Sequence, residues 1–494
     1  MIAQYRPSFV GSPVLMALRI SQLIFALSLF GIAPGALAAD DDAYETRGSI
    51  YRAFQHDDDA FEMVSVMPAE GATQSSAPER VRETGETVIA SVTAALAHNP
   101  QINIAQSRRD SSRADQFRAL GQFLPEIEAT ASYADDSWRS QTLQTLQDRD
   151  GTTVGVTAVQ PVFQGLATIN RFREARARVS EADLSLLSTR QQIALEAARA
   201  HAGIVLARAI VAHRVENLTL VNRQFEVADQ RQKAGAQSRT GVEQARMRRA
   251  QAQVDLGQAR SLLAEREAAY VRITGRQAPA EFAPDNGDRT GELSSLDEAL
   301  ELAREFNPTI NAAEASWKAA KHAKNAAIGD FAPRVTLEGS YFRRIGEEQM
   351  LAADDEEYQL VARMRMPIFH QGRNIAGLKS AGASVSAEQA QMVTTRLAVD
   401  ETVMRSWRQL AEAEAKRLAA RHGIDAAEQS VMGLQLEYEA GQRSVIDVLD
   451  GQRDLVQAQI SLSQAEFDVR NAQYELAAAT GFILEAFGIQ SEGR

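Results

Sequence analysis

Residues 121–133, GQFLPEIEATASY, return 208 residues later as residues 329–341, GDFAPRVTLEGSY. The same offset relates the Asn-Pro dipeptides at 99–100 and 307–308. Farther along the chain the offset becomes 206, as between AGAQS at 234–238 and AGQRS at 440–444. An offset this regular indicates an internal duplication.

The duplication divides the chain into segments. We expect repeat 1 at 88–278 and repeat 2 at 298–485, joined by a polar linker at 279–297 and followed by a short tail at 486–494. Between the two boundaries of each repeat there are only three prolines, at 100, 125 and 161 and again at 308, 333 and 367. The residues after the third proline therefore lack the strongest helix breaker.

Apolar residues after the third proline recur with helical spacing. In repeat 1, Leu195, Ala198, Ala202, Val205 and Ala209 step by three and four residues, which is typical of packed helices with small and branched side chains. A continuous helix from about residue 164 to 233 would be ~100 Å long at ~1.5 Å per residue. A compact domain does not need such a helix.

Between the second and third prolines the apolar period changes to two. Ile127, Ala129, Ala131 and Tyr133 alternate with polar residues, which predicts strands. We expect strands at about 125–136 and 152–163 in repeat 1, and at about 333–343 and 357–369 in repeat 2. Each is close to the ~9 to 11 residues of a membrane-spanning strand.

Four strands cannot close a membrane barrel by themselves. Because unpaired backbone groups are costly in lipid and membrane barrels have about eight or more strands, the chain has to share a barrel with copies of itself. The strand count permits eight strands in a dimer or twelve in a trimer. The alternative that the helices alone would allow is a soluble periplasmic coiled-coil scaffold or adaptor.

Composition narrows the function classes. The 494 residues include 45% apolar residues and carry a formal net charge of -12, which argues against nucleic acid as a partner. The chain has no cysteine, so disulfides, thiolate sites and a lipid-bearing cysteine are excluded. There is no Gly-Lys phosphate loop, and the seven histidines lack metal-type spacing. We expect no cofactor, no metal and no enzymatic activity.

The N-terminus indicates export. Arg6 and Arg19 precede an apolar run from 23 to 32, which is followed by Ala36, Leu37 and Ala38. This order predicts a signal peptide at 1–38. Residues 39–87 lie outside the duplication, and their Asp, Ser, Ala, Pro and Glu content predicts disorder.

The doubled order of Asn-Pro, Pro-ended strand, Pro-x-Phe, long helix, Ala-Gly-x-x-Ser, long helix and Thr-Gly resembles the TolC family of outer-membrane efflux proteins over nearly all of residues 88–485. The stretch YEAGQRSVIDVLD at 438–450 carries the resemblance furthest, toward the TolC branch of that family. The resemblance implies a mainly α protein with membrane β structure. Long α-helical hairpins would form a periplasmic α-barrel, and four strands per protomer would contribute to a 12-stranded outer-membrane β-barrel in a homotrimer.

The same resemblance implies a function. Such a protein forms the exit duct of a tripartite system for type I protein secretion, multidrug efflux or both. Its partners would be a periplasmic adaptor (membrane fusion) protein, an inner-membrane ABC or RND-type transporter and outer-membrane lipid.

By resemblance, Asp447 and Asp450 line the narrow periplasmic entrance as a ring of six carboxylates in the trimer. Such a ring would attract cations, and the crowding of like charges would raise some of the carboxyl pKa values. A structural interpretation competes for Asp447, because Ser444 followed by an acid three residues later is typical of a helix start. That interpretation does not account for Asp450.

Tyr438 and Arg443 match positions that hold the entrance shut by bonding to a neighbouring hairpin. The matching partner segment retains Thr240, but Gly241 stands where the family has an acid. We therefore expect a weakly latched entrance, with Glu243 as a substitute acid. The alternative is that Tyr438 and Arg443 are exposed helix-end residues.

Four further residues are expected at the hairpin turns. Gly235 and Gly441 would end the long helices, and Ser238 and Ser444 would begin the next ones. These are structural roles first, and the turns are also the candidates for contact with the adaptor. Tyr133 and Tyr341 are expected in the barrel wall or an interface, and the Asn-Pro dipeptides at helix boundaries.

Overall fold

The computed structural model describes residues 85–139, 146–235, 238–283, 293–347 and 355–489. The predicted signal peptide at 1–38 and residues 39–84 of the predicted disordered segment lie outside these ranges. Residues 85–87, expected to be disordered, are ordered. Glu86 forms an isolated parallel bridge to Phe282, and Thr87 accepts a hydrogen bond from the amide of Ala90 at the start of the first helix.

Two series of elements follow one another along the chain. The first consists of α1 (Val88–His98), α2 (Pro100–Gly121), β1 (Glu126–Arg139), β2 (Leu146–Gln164), α3 (Ala167–Lys233) and α4 (Arg239–Thr274). The second consists of α5 (Leu296–Phe306), α6 (Pro308–Gly329), β3 (Arg334–Glu347), β4 (Asp355–Arg365), α7 (Arg373–Glu439) and α8 (Val445–Thr480), and the one-turn helix α9 (Ile483–Ala486) ends the series.

Equivalent helices of the two series have equal lengths of 11, 22, 67 and 36 residues. The predicted duplication is therefore present at the level of structure. At ~1.5 Å per residue, α3 and α7 are each ~100 Å long. No helix among the described residues is both long and apolar enough to cross a membrane.

The Asn-Pro dipeptides mark helix boundaries, as expected. The side chain of Asn99 accepts a hydrogen bond from the amide of Gln101, and that of Asn307 accepts one from Thr309. In each case the following proline occupies the first helical position, where no amide donor is needed. The helix is therefore interrupted and restarted at the same point of each repeat.

The four strands form one antiparallel sheet in the order β1-β2-β3-β4. The register aligns the residues that alternate in the sequence, so that Ala129 lies opposite Val156, Val156 opposite Tyr341, and Tyr341 opposite Tyr358. These residues share one apolar face, and the other face carries charged pairs such as Arg363 with Glu338, whose Nη2 and Oε2 atoms are 3.0 Å apart. The predicted alternation is thus a two-faced sheet.

The strand bounds differ from the expected ones. β1 and β2 pair as far as Arg139 opposite Leu146, well into the polar tip, because backbone pairing does not require apolar side chains. β4 is shorter than expected and ends at Arg365, opposite Arg334, where its partner strand begins. Residues 366–369, expected in this strand, have no partner strand among the described residues, and Pro367 lacks an amide donor.

The largest cluster of buried residues joins α1 and α3 to the end of α8 and to α9. Alanines on one face of α3, including Ala194, Ala197 and Ala198, are fully buried there, because their small side chains let the neighbouring helices approach closely. Phe487 lies in the segment that we expected to be a tail, yet it is 2% exposed and its ring packs on Tyr474. The chain therefore returns to the core after the second repeat.

Candidate functional site

Two helix-to-helix turns form the ends of the long hairpins. We call residues 223–249, which contain the turn between α3 and α4, the first tip, and the equivalent residues 429–455, between α7 and α8, the second tip. Gly235 and Gly441 have φ of 75° and 76°, a left-handed conformation that residues with a Cβ rarely adopt. The glycines therefore end both long helices, as predicted.

The serines after these glycines begin the next helices. Ser238 Oγ accepts a hydrogen bond from the amide of Gly241, and Ser444 Oγ accepts one from the amide of Asp447. Both serines were predicted as N-caps, and the hydrogen bonds confirm it.

The two tips of one protomer pack against each other. Their contact is centred on a cluster of buried side chains from both hairpins, which is surrounded by the partly buried residues Phe225, Tyr438 and Ile446. The buried members of the cluster are Val221, Ala228, Val242, Ala245, Val445 and Leu449. We call this set the tip cluster. Burial of apolar surface holds the first and second tips together, so the polar residues around the cluster have fixed neighbours.

Asp447 completes a capping box with Ser444. Its Oδ2 atom accepts hydrogen bonds from the amide and the hydroxyl of Ser444, both at 2.9 Å. These bonds favour the ionised carboxylate and hold the pKa of Asp447 below its usual value. The capping interpretation is thus present in the structure, and the raised pKa expected for a crowded ring remains a prediction for the assembled protein.

Asp450 is part of an ion pair. Nη2 of Arg248, on α4, lies 2.6 Å from Oδ1 of Asp450, on α8. The Oδ1 atom is inaccessible to solvent, and the two groups lack the alignment of a hydrogen bond, so the contact is mainly Coulombic. Sequence reasoning placed Asp450 at the entrance but did not foresee its cationic partner.

Tyr438 belongs to the interior of the tips. Its ring packs in the tip cluster, and the guanidinium of Arg231 lies 4.8 Å from the ring centroid. The Tyr438 hydroxyl is buried without a hydrogen-bond partner among the described residues. The contact joins the two tips of one protomer.

Arg443 bonds within its own hairpin. Its Nε atom donates to Oε2 of Glu437 at 2.8 Å. Glu243, the expected substitute acid, pairs instead with Arg246 on its own helix, with Nη1 and Oε2 3.0 Å apart. Thr240 is exposed. The structure thus brings Tyr438 to the first tip, whereas Arg443 and Glu243 have their ionic partners within their own hairpins.

Sequence reasoning missed Arg231, Arg248 and Glu437, each of which contacts a predicted site residue. The distribution of charged residues in the sequence could have pointed to Arg231 and Arg248. The first tip has seven basic and three acidic residues, and the second tip has two basic and five acidic ones. Opposite net charge on the two segments allows attraction between them, and the ion pair of Arg248 with Asp450 joins them.

Comparison with protein families gives a match to the model described as "Outer membrane efflux protein". It covers residues 92–276 and 299–482, which are the two repeats. Most of the chain is therefore assigned to this family, one copy of the unit at a time.

Relatives and solved structures agree with the family match. The chain is 29% identical over 398 residues to the outer membrane efflux protein BepC of Brucella suis, covering 80% of this chain and 85% of that protein. It is 26% identical over 393 residues to the alkaline protease secretion protein AprF of Pseudomonas aeruginosa, covering 75% and 79%. A crystal structure of CusC superposes with a TM-score of 0.73 at 16% identity, covering 86% of this chain and 99% of that one.

Proposed function

Because the chain belongs to the family of outer membrane efflux proteins, we propose that it is the exit duct of a tripartite export system. Three copies form a channel whose sheet lies in the outer membrane and whose helices form a tunnel in the periplasm. A periplasmic adaptor protein and an inner-membrane ABC or RND-type transporter complete the system and supply the energy.

The sheet carries this proposal. β1 and β4 each have one edge without a partner strand among the described residues, and the face shared by Ile127, Tyr133 and Leu360 is apolar and exposed. Apolar exposure and open edges are compatible with lipid only after closure into a barrel. Three copies provide twelve strands. The alternative of a soluble periplasmic scaffold gives this sheet no role, and the family match does not favour it.

The tips form the periplasmic entrance. Asp447 and Asp450 face its lumen, where three protomers provide a ring of six carboxylates that attracts cations. Tyr438, Arg443 and Thr240 regulate its closure, and weak latching follows from the glycine at position 241. Gly235, Ser238, Gly441 and Ser444 fix the turns that the adaptor contacts.

The cargo class is type I secretion substrates, small toxic compounds or both. AprF is named for secretion of a protease and BepC for efflux, and similarity to both supports this range. The transporter selects the cargo, since the duct itself is a common path. Deletion of the gene should therefore abolish secretion or raise drug sensitivity according to the transporter that it serves.

The decisive experiment combines location with conductance. The full protein should sediment with the outer membrane, resist dissociation by detergent as a trimer and form cation-selective channels in planar bilayers. Replacing both Asp447 and Asp450 by Ala should reduce the cation selectivity of these channels. A protein found only in the soluble periplasmic fraction would exclude the duct, and an unchanged selectivity would exclude the carboxylate ring.

A further inference from the structure

The two tips differ in charge although they derive from one duplicated unit. The first tip has an excess of basic residues and the second an excess of acidic ones. Position 248 shows this most clearly, because the residue at the same place in repeat 2 is Asp454. The partner of Arg248, Asp450, is equivalent to Gln244. The ion pair therefore occurs once per protomer and has no counterpart related by the internal symmetry.

The geometry makes Arg248 a specific counter-ion. Its side chain is 28% exposed and that of Asp450 is 44% exposed, so both are partly withdrawn from water and less screened than surface charges. The Oδ1 atom of Asp450 has no contact with solvent and lies 2.6 Å from Nη2 of Arg248. One of the two carboxylates proposed for the entrance thus has its charge neutralised from the first tip.

The neighbouring arginine provides a contrast. The guanidinium of Arg249 lies 4.2 Å from the ring centroid of Phe225, which is on the same hairpin. Arg248 is adjacent in the sequence but reaches from α4 to α8. Consecutive residues on a helix differ by about 100° in direction, and in this structure Arg248 is the one of the two that contacts Asp450.

The contacts between the tips act together. The tip cluster, the stacking of Arg231 on Tyr438 and the Arg248 ion pair all join the first tip to the second. Separating the tips breaks each of them. In doing so it removes the counter-ion from Asp450 and leaves a bare carboxylate on the second tip.

We propose that Arg248 links the closure of the entrance to its ion selectivity. With the tips together, Arg248 holds them closed and masks Asp450, so that Asp447 dominates the attraction of cations. When the tips separate, Asp450 is unmasked and cation selectivity rises. This inference rests on the proposed function, since it assigns a role to Arg248 at the entrance of the duct.

The test compares Arg248→Gln with Arg249→Gln in the full trimer. In planar bilayers, Arg248→Gln should raise the resting conductance and the cation-to-anion permeability ratio severalfold, and Arg249→Gln should change neither. Charge exchange in the double variant R248D/D450R should restore a low resting conductance. Equal values for Arg248→Gln, Arg249→Gln and the unaltered protein would overturn the inference.

A second measurement does not depend on conductance. Because the chain has no cysteine, spin labels can be attached at Gln244→Cys and Gln442→Cys, one exposed position on each tip. Arg248→Gln should broaden the distance distribution and shift it to longer values, whereas Arg249→Gln should not. Unchanged distances would overturn the latch. Longer distances in a protein that forms no channel would support the latch and reject the duct.

Discussion

Ala158 on β2 lies directly opposite Gly339 on β3, in the contact that joins the strands of repeat 1 to those of repeat 2. The internal duplication allows this pairing to be transferred to the contact between protomers. Adding 206 to Ala158 gives Met364, and subtracting 208 from Gly339 gives Ala131. The same offsets convert the pair Glu126 and Val159 into Arg334 and Arg365, which is observed. The offsets are therefore valid for the sheet.

The transferred register predicts how the barrel closes. In a trimer, Met364 of one copy should lie opposite Ala131 of the next. The double variant A131C/M364C should form disulfide-linked oligomers, because opposed Cα atoms in a sheet are about 4.5 to 5.5 Å apart. The measurement is non-reducing electrophoresis after mild oxidation in outer membranes.

The matched control moves one residue along the strand. Arg365 is on the opposite face of β4, so A131C/R365C should cross-link far less. Efficient cross-linking of the control in place of the predicted pair would contradict the register. The same register brings residues 366–369 opposite the start of the next copy's β1, which would restore the longer strand that the sequence predicts.

The two tip serines should differ in their contribution to helix stability. Ser238→Ala removes an N-cap and should cost about 1 kcal/mol. Ser444→Ala should cost more, because it also removes the hydroxyl that donates to Asp447. Amide hydrogen exchange at the first turns of α4 and α8 measures both effects, and equal losses of protection would contradict the capping box.

The contribution of the Asp447 carboxylate to the stability of α8 should depend on pH in a defined direction. Its pKa in the folded protein is lowered, chiefly by the amide of Ser444. The stabilisation is therefore complete above the pKa of Asp in the unfolded chain, about 3.9. It is lost as the pH falls through the lower pKa of Asp447 in the folded protein. The protection of amides at the start of α8, measured as hydrogen exchange relative to the intrinsic rate at each pH, should fall below about pH 4 in the unaltered protein and much less in Asp447→Asn. The same loss of protection in both proteins would assign the effect to other groups.

Gly155 should not tolerate a side chain. A Cβ there would clash with the ring of Phe342 on the adjacent strand. Gly155→Ala should therefore lower the temperature at which the trimer dissociates in detergent, with an overpacking cost of about 1 to 3 kcal/mol per protomer. Gly339→Ala is the matched control, since the nearest atom to its Cβ would be 3.8 Å away.

A second variant tests the cause. Phe342→Ala combined with Gly155→Ala should recover part of the lost heat resistance, because the clash is with the ring. Equal sensitivity of the trimer to Gly155→Ala and Gly339→Ala would show that the close approach of Phe342 is unimportant.

The two Asn-Pro dipeptides should also differ. Asn99 and Asn307 both cap a helix, but Nδ2 of Asn307 also donates to the carbonyl oxygen of Ala479 at 2.9 Å. Asn307→Ala leaves that buried carbonyl without its donor, which costs about 1 to 3 kcal/mol beyond the loss of the cap. Thermal unfolding monitored by circular dichroism should give a lower midpoint temperature for Asn307→Ala than for Asn99→Ala. The reverse order would contradict this assignment.

Much of the fold could be predicted from local patterns. The helices follow from apolar residues at steps of three and four, and the breaks follow from Pro100 and Pro308. The caps at Ser238 and Ser444 follow from residue types that satisfy the first amides of a helix. Each of these signals acts over a few residues, so it can be read without knowing what lies nearby in space.

Other features could not be predicted in this way. Local alternation did not give the true strand ends, because these depend on how far a partner strand extends. Burial of Phe487 depends on a core built from residues of six helices.

The sequence by itself determined that the chain is duplicated, that each copy is a long helical hairpin bearing two strands, and where the turns lie. Only the tertiary structure decided that Arg248, rather than Arg249, meets Asp450 and that Arg231 packs against the ring of Tyr438. The physical reason is the helical rotation of about 100° per residue. Contacts between residues about 200 positions apart depend on the relative phase of two helices, and packing of the tip cluster fixes that phase.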